Sequence, residues 1–171
     1  MAEDPGRVHG GCDRWVLPRR GSVWIIEDAP GTPVDPPPTP WRPGEPLELL
    51  GWTSEPPAPE GDWTTHRDWE TVATTVTYRA TFELDAAASV CLDLGRVGDL
   101  AEVSVNGAVV AHLFWAPHRC VVPEGATRAG ENELVVRVTN SSANRFEGTL
   151  RPSGLIGPVE LSHLSTTPPA R

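Results

Sequence analysis

The 171-residue chain contains no lysine: all 14 basic side chains are arginines, set against 23 acidic ones for a formal net charge of −9. A surface of that sign repels phosphate backbones and anionic lipid headgroups, so nucleic acid and anionic membranes are poor partners. No apolar run approaches the roughly 20 residues that a membrane-spanning helix needs. Met1 is followed by Ala, Glu, Asp and Pro, not by a basic and then apolar leader. Taken as the native start it sets an expectation of a cytoplasmic chain; in a fragment it sets none. Cysteine is scarce and odd in number, and Cys12, Cys91 and Cys120 lack metal-type spacing. Cys91 and Cys120 fall in strand-like segments, where they are either paired or buried as small hydrophobes, and the second reading is preferred. A glycine-rich phosphate loop, a nucleophile elbow and a paired-cysteine motif are also missing.

Proline and glycine are abundant instead, with 19 and 16 residues. Neither is tolerated inside helices, so many turns and few long helices are expected. Eleven of the prolines lie between Ala29 and Pro59, which excludes interior strands there and implies an extended belt. Trp41 and Trp52 within that belt argue that it is pinned against the rest of the protein, since free linkers rarely keep large aromatics. Ahead of it, Ser22 to Glu27 reads as a short β-branched strand. The sequence thus divides into an N-terminal extension and belt (residues 1–60), a sandwich (61–165) and a tail (166–171).

Period-two alternation dominates after Trp69. Tyr78, Ala80, Phe82 and Leu84 alternate with Thr77, Arg79, Thr81 and Glu83, which places one set inward and the other outward. Val90, Leu92 and Leu94 repeat the pattern, as do Val103 and Val105, then Leu134, Val136 and Val138. Asn106-Gly107 marks a two-residue hairpin, because both positions accept positive φ. Ala108 to Phe114, Cys120 to Val122 and a closing segment from Leu155 to Leu161 complete seven or eight short strands. With no room for crossover helices, the expected fold is all-β, a sandwich or jelly roll.

Several of these segments together resemble a known domain. Leu92-Asp93-Leu94-Gly95, Ala101 to Gly107, Trp115-Ala116-Pro117-His118-Arg119, Gly130 to Leu134, Val138-Thr139-Asn140, Asn144-Arg145 and Ser153 to Val159 form an ordered set. It resembles the sugar-binding jelly-roll domain of glycoside hydrolase family 2, and is most similar to the C-terminal region of family 106 α-L-rhamnosidases. The resemblance covers roughly Tyr78 to Leu161 and implies a galactose-binding-domain-like sandwich, with carbohydrate or a glycosidase catalytic domain as partner. It transfers no catalysis, because in such enzymes the acid and base carboxylates sit on a separate barrel that a chain of this length does not hold.

The candidate ligand-binding residues are Trp115, His118, Arg119, Asn140, Asn144 and Arg145. An indole face stacks on sugar C–H groups while charged side chains bind hydroxyls, so Trp115 with His118 and Arg119 reads as a sugar platform. The competing and preferred reading makes Trp115 a cap on the core, with Arg119 paired to an acidic neighbour. Asn140, Asn144 and Arg145 occupy a loop, where they either bind ligand or brace the turn, and the two readings stand level. Asp93 alternates outward and is expected to pair with an arginine on a neighbouring strand. His66 and Asp68, beside Asp62, Trp63 and Trp69, are too few to make a metal site, and no dense carboxylate run supports a structural Ca²⁺. No cofactor is expected.

Three functions follow in order of preference: an accessory carbohydrate-binding domain without catalysis, a structural or protein-interaction sandwich, and an enzyme using His118 or His66 as acid/base.

Overall fold

A computed structural model of the chain describes residues 7–9, 14–16 and 41–165. Its contacts separate two units, residues 1–37 and 38–171. In the first, β1 (Arg7–His9) and β2 (Arg14–Val16) pair as an antiparallel hairpin. The strand expected at Ser22–Glu27 lies outside the described residues.

The second unit is the sandwich, and its central ladder is where alternation is strongest. β5 (Thr75–Leu84) and β11 (Gly130–Thr139) run antiparallel in unbroken register from Thr75 opposite Thr139 to Leu84 opposite Gly130. β4 (Leu50–Glu55) flanks β5, while β8 (Leu100–Val105) and β9 (Ala108–Leu113) extend the sheet beyond β11, giving the order β4-β5-β11-β8-β9. Facing it is a four-stranded antiparallel sheet in the order β10-β6-β13-β3, built from β3 (Pro43–Leu47), β6 (Val90–Asp93), β10 (Arg119–Val122) and β13 (Glu160–Leu164). A short pair of β7 (Arg96–Gly98) with β12 (Gly154–Gly157) completes the all-β fold. One α-helical turn, α1 (Ala143–Phe146), and two 3-10 turns, Trp63–Thr65 and Glu124–Ala126, interrupt it.

The inward set predicted by alternation forms the core: Val76, Phe82, Leu92, Leu94, Val103, Val105, Leu134, Val136 and Val138 are all buried. Trp63 joins them fully buried and donates its indole N–H to the Tyr78 hydroxyl at 2.8 Å. The hairpin turn forms as expected, with Asn106 at φ 49° and Gly107 at φ 82° joining β8 to β9. Asn106 does more than turn the chain. Its side chain donates to the Ala126 carbonyl and Asn132 Oδ1 and accepts from the Glu133 amide, closing one end of the sandwich.

Two segments differ from expectation, each for a local reason. The closing run from Leu155 to Leu161 is not one strand but two, β12 and β13, which belong to different sheets. Gly157, at φ 72°, and Pro158, which lacks an N–H donor, break the ladder between them. The proline belt, in turn, contributes β3 and β4, one edge strand to each sheet. Edges are where proline is tolerated, because one side of the strand has no ladder to lose.

Phe82 is 1% exposed on the inward face of β5. Phe82→Ala is expected to cost about 3–5 kcal/mol, read as a fall in the denaturant midpoint without loss of two-state unfolding. A cost below about 1 kcal/mol, typical of surface sites, would place the side chain outside the core.

Candidate functional site

The six residues singled out from the sequence separate into three environments. Register brings the loops after β9 and β11 to the same end of the five-stranded sheet, since Leu100 opposes Thr139 and neighbouring Ala101 opposes Leu113. Within that end, Asn140 and Asn144 are buried and taken up by structure. Asn140 Oδ1 accepts from the Thr74 amide at 2.9 Å, and its Nδ2 donates to the Val72 carbonyl and Ser153 Oγ. Asn144 grips both backbone groups of Arg151, at 2.7 and 2.8 Å. Of the two readings that stood level for these asparagines, the geometry matches the turn-bracing one.

Trp115 is 63% exposed and sits next to Phe114, which is 56% exposed, with ring centroids 6.0 Å apart. That exposure departs from the preferred reading of Trp115 as a core cap. Three residues on, His118 turns inward and is 5% exposed, and neither ring nitrogen meets a hydrogen-bond partner among the described residues. Arg145 is exposed and lies over the Phe146 ring. Arg119, the first residue of β10, points to the outer face of that strand with its guanidinium 5.4 Å from the Trp41 ring centroid.

Arg119 therefore leads to a different place, the outer face of the four-stranded sheet. There the register sets Arg119 opposite Asp93, and Asp93 opposite Glu160, so three charged residues cross β10, β6 and β13 in one row. Cys91 and Ser162 form the next row on the same face. The belt folds over them, with the Arg42 backbone bonding the Cys91 thiol, which burial pushes above its ordinary pKa. The result is a hollow of about 520 Å³, with Asp93, Glu160 and Ser162 among its lining residues and Trp41, Trp52 and Pro46 from the belt. That volume lies within the range of small-molecule sites. Asp93 Oδ1 is held by the Gly95 amide at 2.8 Å, and among the described residues neither Asp93 nor Glu160 forms an ion pair. The expected Asp93–arginine pairing is thus replaced by a turn contact.

A smaller hollow of about 190 Å³ lies on the outer face of the five-stranded sheet, among Leu100, Glu102, His112, Phe114, Arg137 and Thr139. Its charges are spent on one another, as Arg137 bonds Glu102 at 2.9 Å and His112 approaches the same carboxylate at 3.6 Å. The two indoles and two carboxylates lining the first hollow make it the better candidate. Its sequence signals were separate: two tryptophans in a proline belt and an outward Asp93. Nothing in the local pattern linked them to Glu160, because they meet only through strand order.

The two cysteines described are both free. Cys120 opposes Leu92 on the inward face while Cys91 faces outward, so the sheet itself lies between the thiols. Burial pushes the Cys120 thiol up to about 12, which suits a small buried hydrophobe. Among the described residues no three His, Cys, Asp or Glu side chains are grouped to hold a metal ion. His66 and Asp68 are both exposed. Among the described residues no helix is long and apolar enough to cross a membrane.

No family model matches the chain. Over 79 residues, 43% of this chain, it is 40% identical to a Formosa agariphila protein named "Putative beta-glucuronidase", of which the match covers 7%. The rhamnosidase from Novosphingobium sp. PP1Y superposes with a TM-score of 0.59 at 30% identity, covering 78% of this chain and 16% of that enzyme. A GH2 β-galacturonidase from Eisenbergiella tayi shares the fold at a TM-score of 0.50 and 20% identity, over 72% of this chain and 26% of its own. The chain spans about a quarter or less of each of these proteins. It carries a glycoside-hydrolase-like β-sandwich.

Asp62 secures the loop that seats Trp63, its Oδ1 accepting from the Thr64 amide at 3.0 Å, the Thr64 hydroxyl at 2.7 Å and the Ser153 amide at 3.0 Å. Burial opposes its ionisation, but these hydrogen bonds and nearby Arg96 outweigh it and hold the pKa below its ordinary value. A carboxylate with a depressed folded-state pKa stabilises the fold above its unfolded pKa, and that contribution is lost as pH falls through the folded value. Asp62→Ala is therefore expected to lower Tm at pH 7, by about 1–3 kcal/mol of stability, with the gap to wild type closing in acid below about pH 3.9. Melts at pH 7, 4 and 2.5 check this, and a gap that widens in acid would contradict it.

Proposed function

We propose that this chain is a non-catalytic carbohydrate-binding accessory domain of a larger sugar-cleaving enzyme, and that the Trp41/Trp52 hollow is where saccharide docks. The observation that carries the reading is the hollow's composition: exposed indole surface beside Asp93, Glu160 and Ser162. Sugars present an apolar C–H face, which stacks on indole, and a rim of hydroxyls, which need acceptors and donors. Trp52 is 41% exposed, so its ring is available to a ligand. The identity of 30% to a rhamnosidase over most of this chain favours an α-L-rhamnosidase-like parent. Partners are then a glycan and the catalytic domain that cleaves it, and the reading calls for no cofactor.

A glycosidase needs two carboxyl groups on either side of the scissile bond, about 5–9.5 Å apart. Asp93 and Glu160 stand side by side on adjacent strands at the floor of one open face, a geometry that offers acceptors to a bound sugar but does not flank a bond from opposite sides. The purified chain is accordingly expected to leave aryl rhamnosides, galactosides and glucosides intact. Turnover that survives repurification and disappears in His118→Ala would make it an enzyme.

Binding is tested by isothermal titration with rhamnose, galactose and short oligosaccharides. A Kd on the order of 0.1–1 mM is expected, since an open face buries little of a monosaccharide. Trp52→Ala should abolish the heat of binding with Tm nearly unchanged, and Trp115→Ala should leave binding intact. The reverse result would return the site to the loop end, and loss in neither variant would remove both locations.

A further inference from the structure

Resting on the carbohydrate reading above, we infer that the hollow is selective by charge: it takes neutral saccharides and rejects uronic acids. The register places Asp93 and Glu160 opposite each other on β6 and β13, both on the outer face. The single guanidinium in the row, Arg119, is engaged over the Trp41 ring, 5.4 Å from its centroid. Among the described residues neither carboxylate has an ion-pair partner to neutralise it. A saccharide bedded on Trp52 thus meets two negative groups at its polar rim. Hydroxyl groups donate to carboxylates, and such charge-assisted bonds are strong. A ligand carboxylate has no proton to donate at neutral pH and meets like charge instead. The chain's net charge of −9 adds a long-range field of the same sign.

The inference separates this domain from what the names of its neighbours would suggest, since one is a galacturonidase bound to galacturonate and another carries a glucuronidase name. It concerns selection at the accessory hollow and makes no statement about what a catalytic domain elsewhere cleaves.

The test uses matched pairs that differ only at C6, namely galactose with galacturonate and glucose with glucuronate, titrated calorimetrically into the whole chain at pH 7. The neutral member of each pair is expected to bind at least about 10-fold more tightly in 20 mM salt, and the ratio should narrow in 500 mM salt, where charges are screened over a few ångströms. Asp93→Asn combined with Glu160→Gln should bring uronate binding up towards that of the neutral sugar. Asparagine keeps the oxygen that accepts from the Gly95 amide, and Glu160 is exposed, so an unchanged Tm is expected and should be verified alongside. Uronates binding as tightly as neutral sugars, or a preference untouched by the double variant, would overturn the inference while leaving carbohydrate binding in place. Binding of neither member would sink the carbohydrate reading itself, and the inference with it.

Discussion

The ladder between β5 and β11 is the constraint on which everything else rests. Each strand is ten residues long, the register has no bulge, and the inward rows are Val76, Tyr78, Ala80, Phe82 and Leu84 on β5 and Leu134, Val136 and Val138 on β11. Because a slip by one residue would turn a whole row to solvent, the pairing admits one register. β4 and β8 then take their positions from its two sides, and the opposing sheet closes over the apolar face.

Buried amide side chains finish what the ladder begins. Asn132, with no exposure, satisfies all four of its hydrogen-bonding positions, accepting from Asn106 and the Arg128 amide and donating to the Arg128 and Gly130 carbonyls. At the other end Asn140, Asn144 and Ser153 tie the long loop to the turn that seats Trp63, with the Trp63 amide donating to the Ser153 carbonyl at 2.9 Å. Gly154 follows directly, at φ 99°, pressed so closely against the Trp63 indole that a Cβ there would overlap the ring. A fully satisfied polar network is worth its burial, since the alternative is an unpaired group at a cost of about 1–3 kcal/mol.

The architecture was legible in the sequence wherever one face of a strand is wet, because alternation then records the fold directly. β5, β8 and β11 and the Asn106-Gly107 turn are of that kind. β13 was harder to read: it sits between two neighbours, and its sequence Glu-Leu-Ser-His-Leu runs past a glycine–proline break that local pattern does not locate. The site was less visible still. Trp115 and the asparagines drew notice because they cluster in sequence, whereas Trp41, Trp52, Asp93 and Glu160 are scattered over more than a hundred residues and meet only once the sheet order is known. Arg119 was common to both views, and its outward position on β10 is what connects them.

The belt also governs how this domain meets copies of itself. β3 carries Pro43 and Pro46 along one margin of the four-stranded sheet, and each removes a donor that an incoming strand would need. That margin is shut to strand addition. The opposite sheet ends on β9, whose sequence holds no proline and whose Val109 is 55% exposed. The β3 and β9 margins therefore differ in how readily they accept another strand, and a lysine or proline placed on β9 would close that margin without disturbing the hollow on the other sheet.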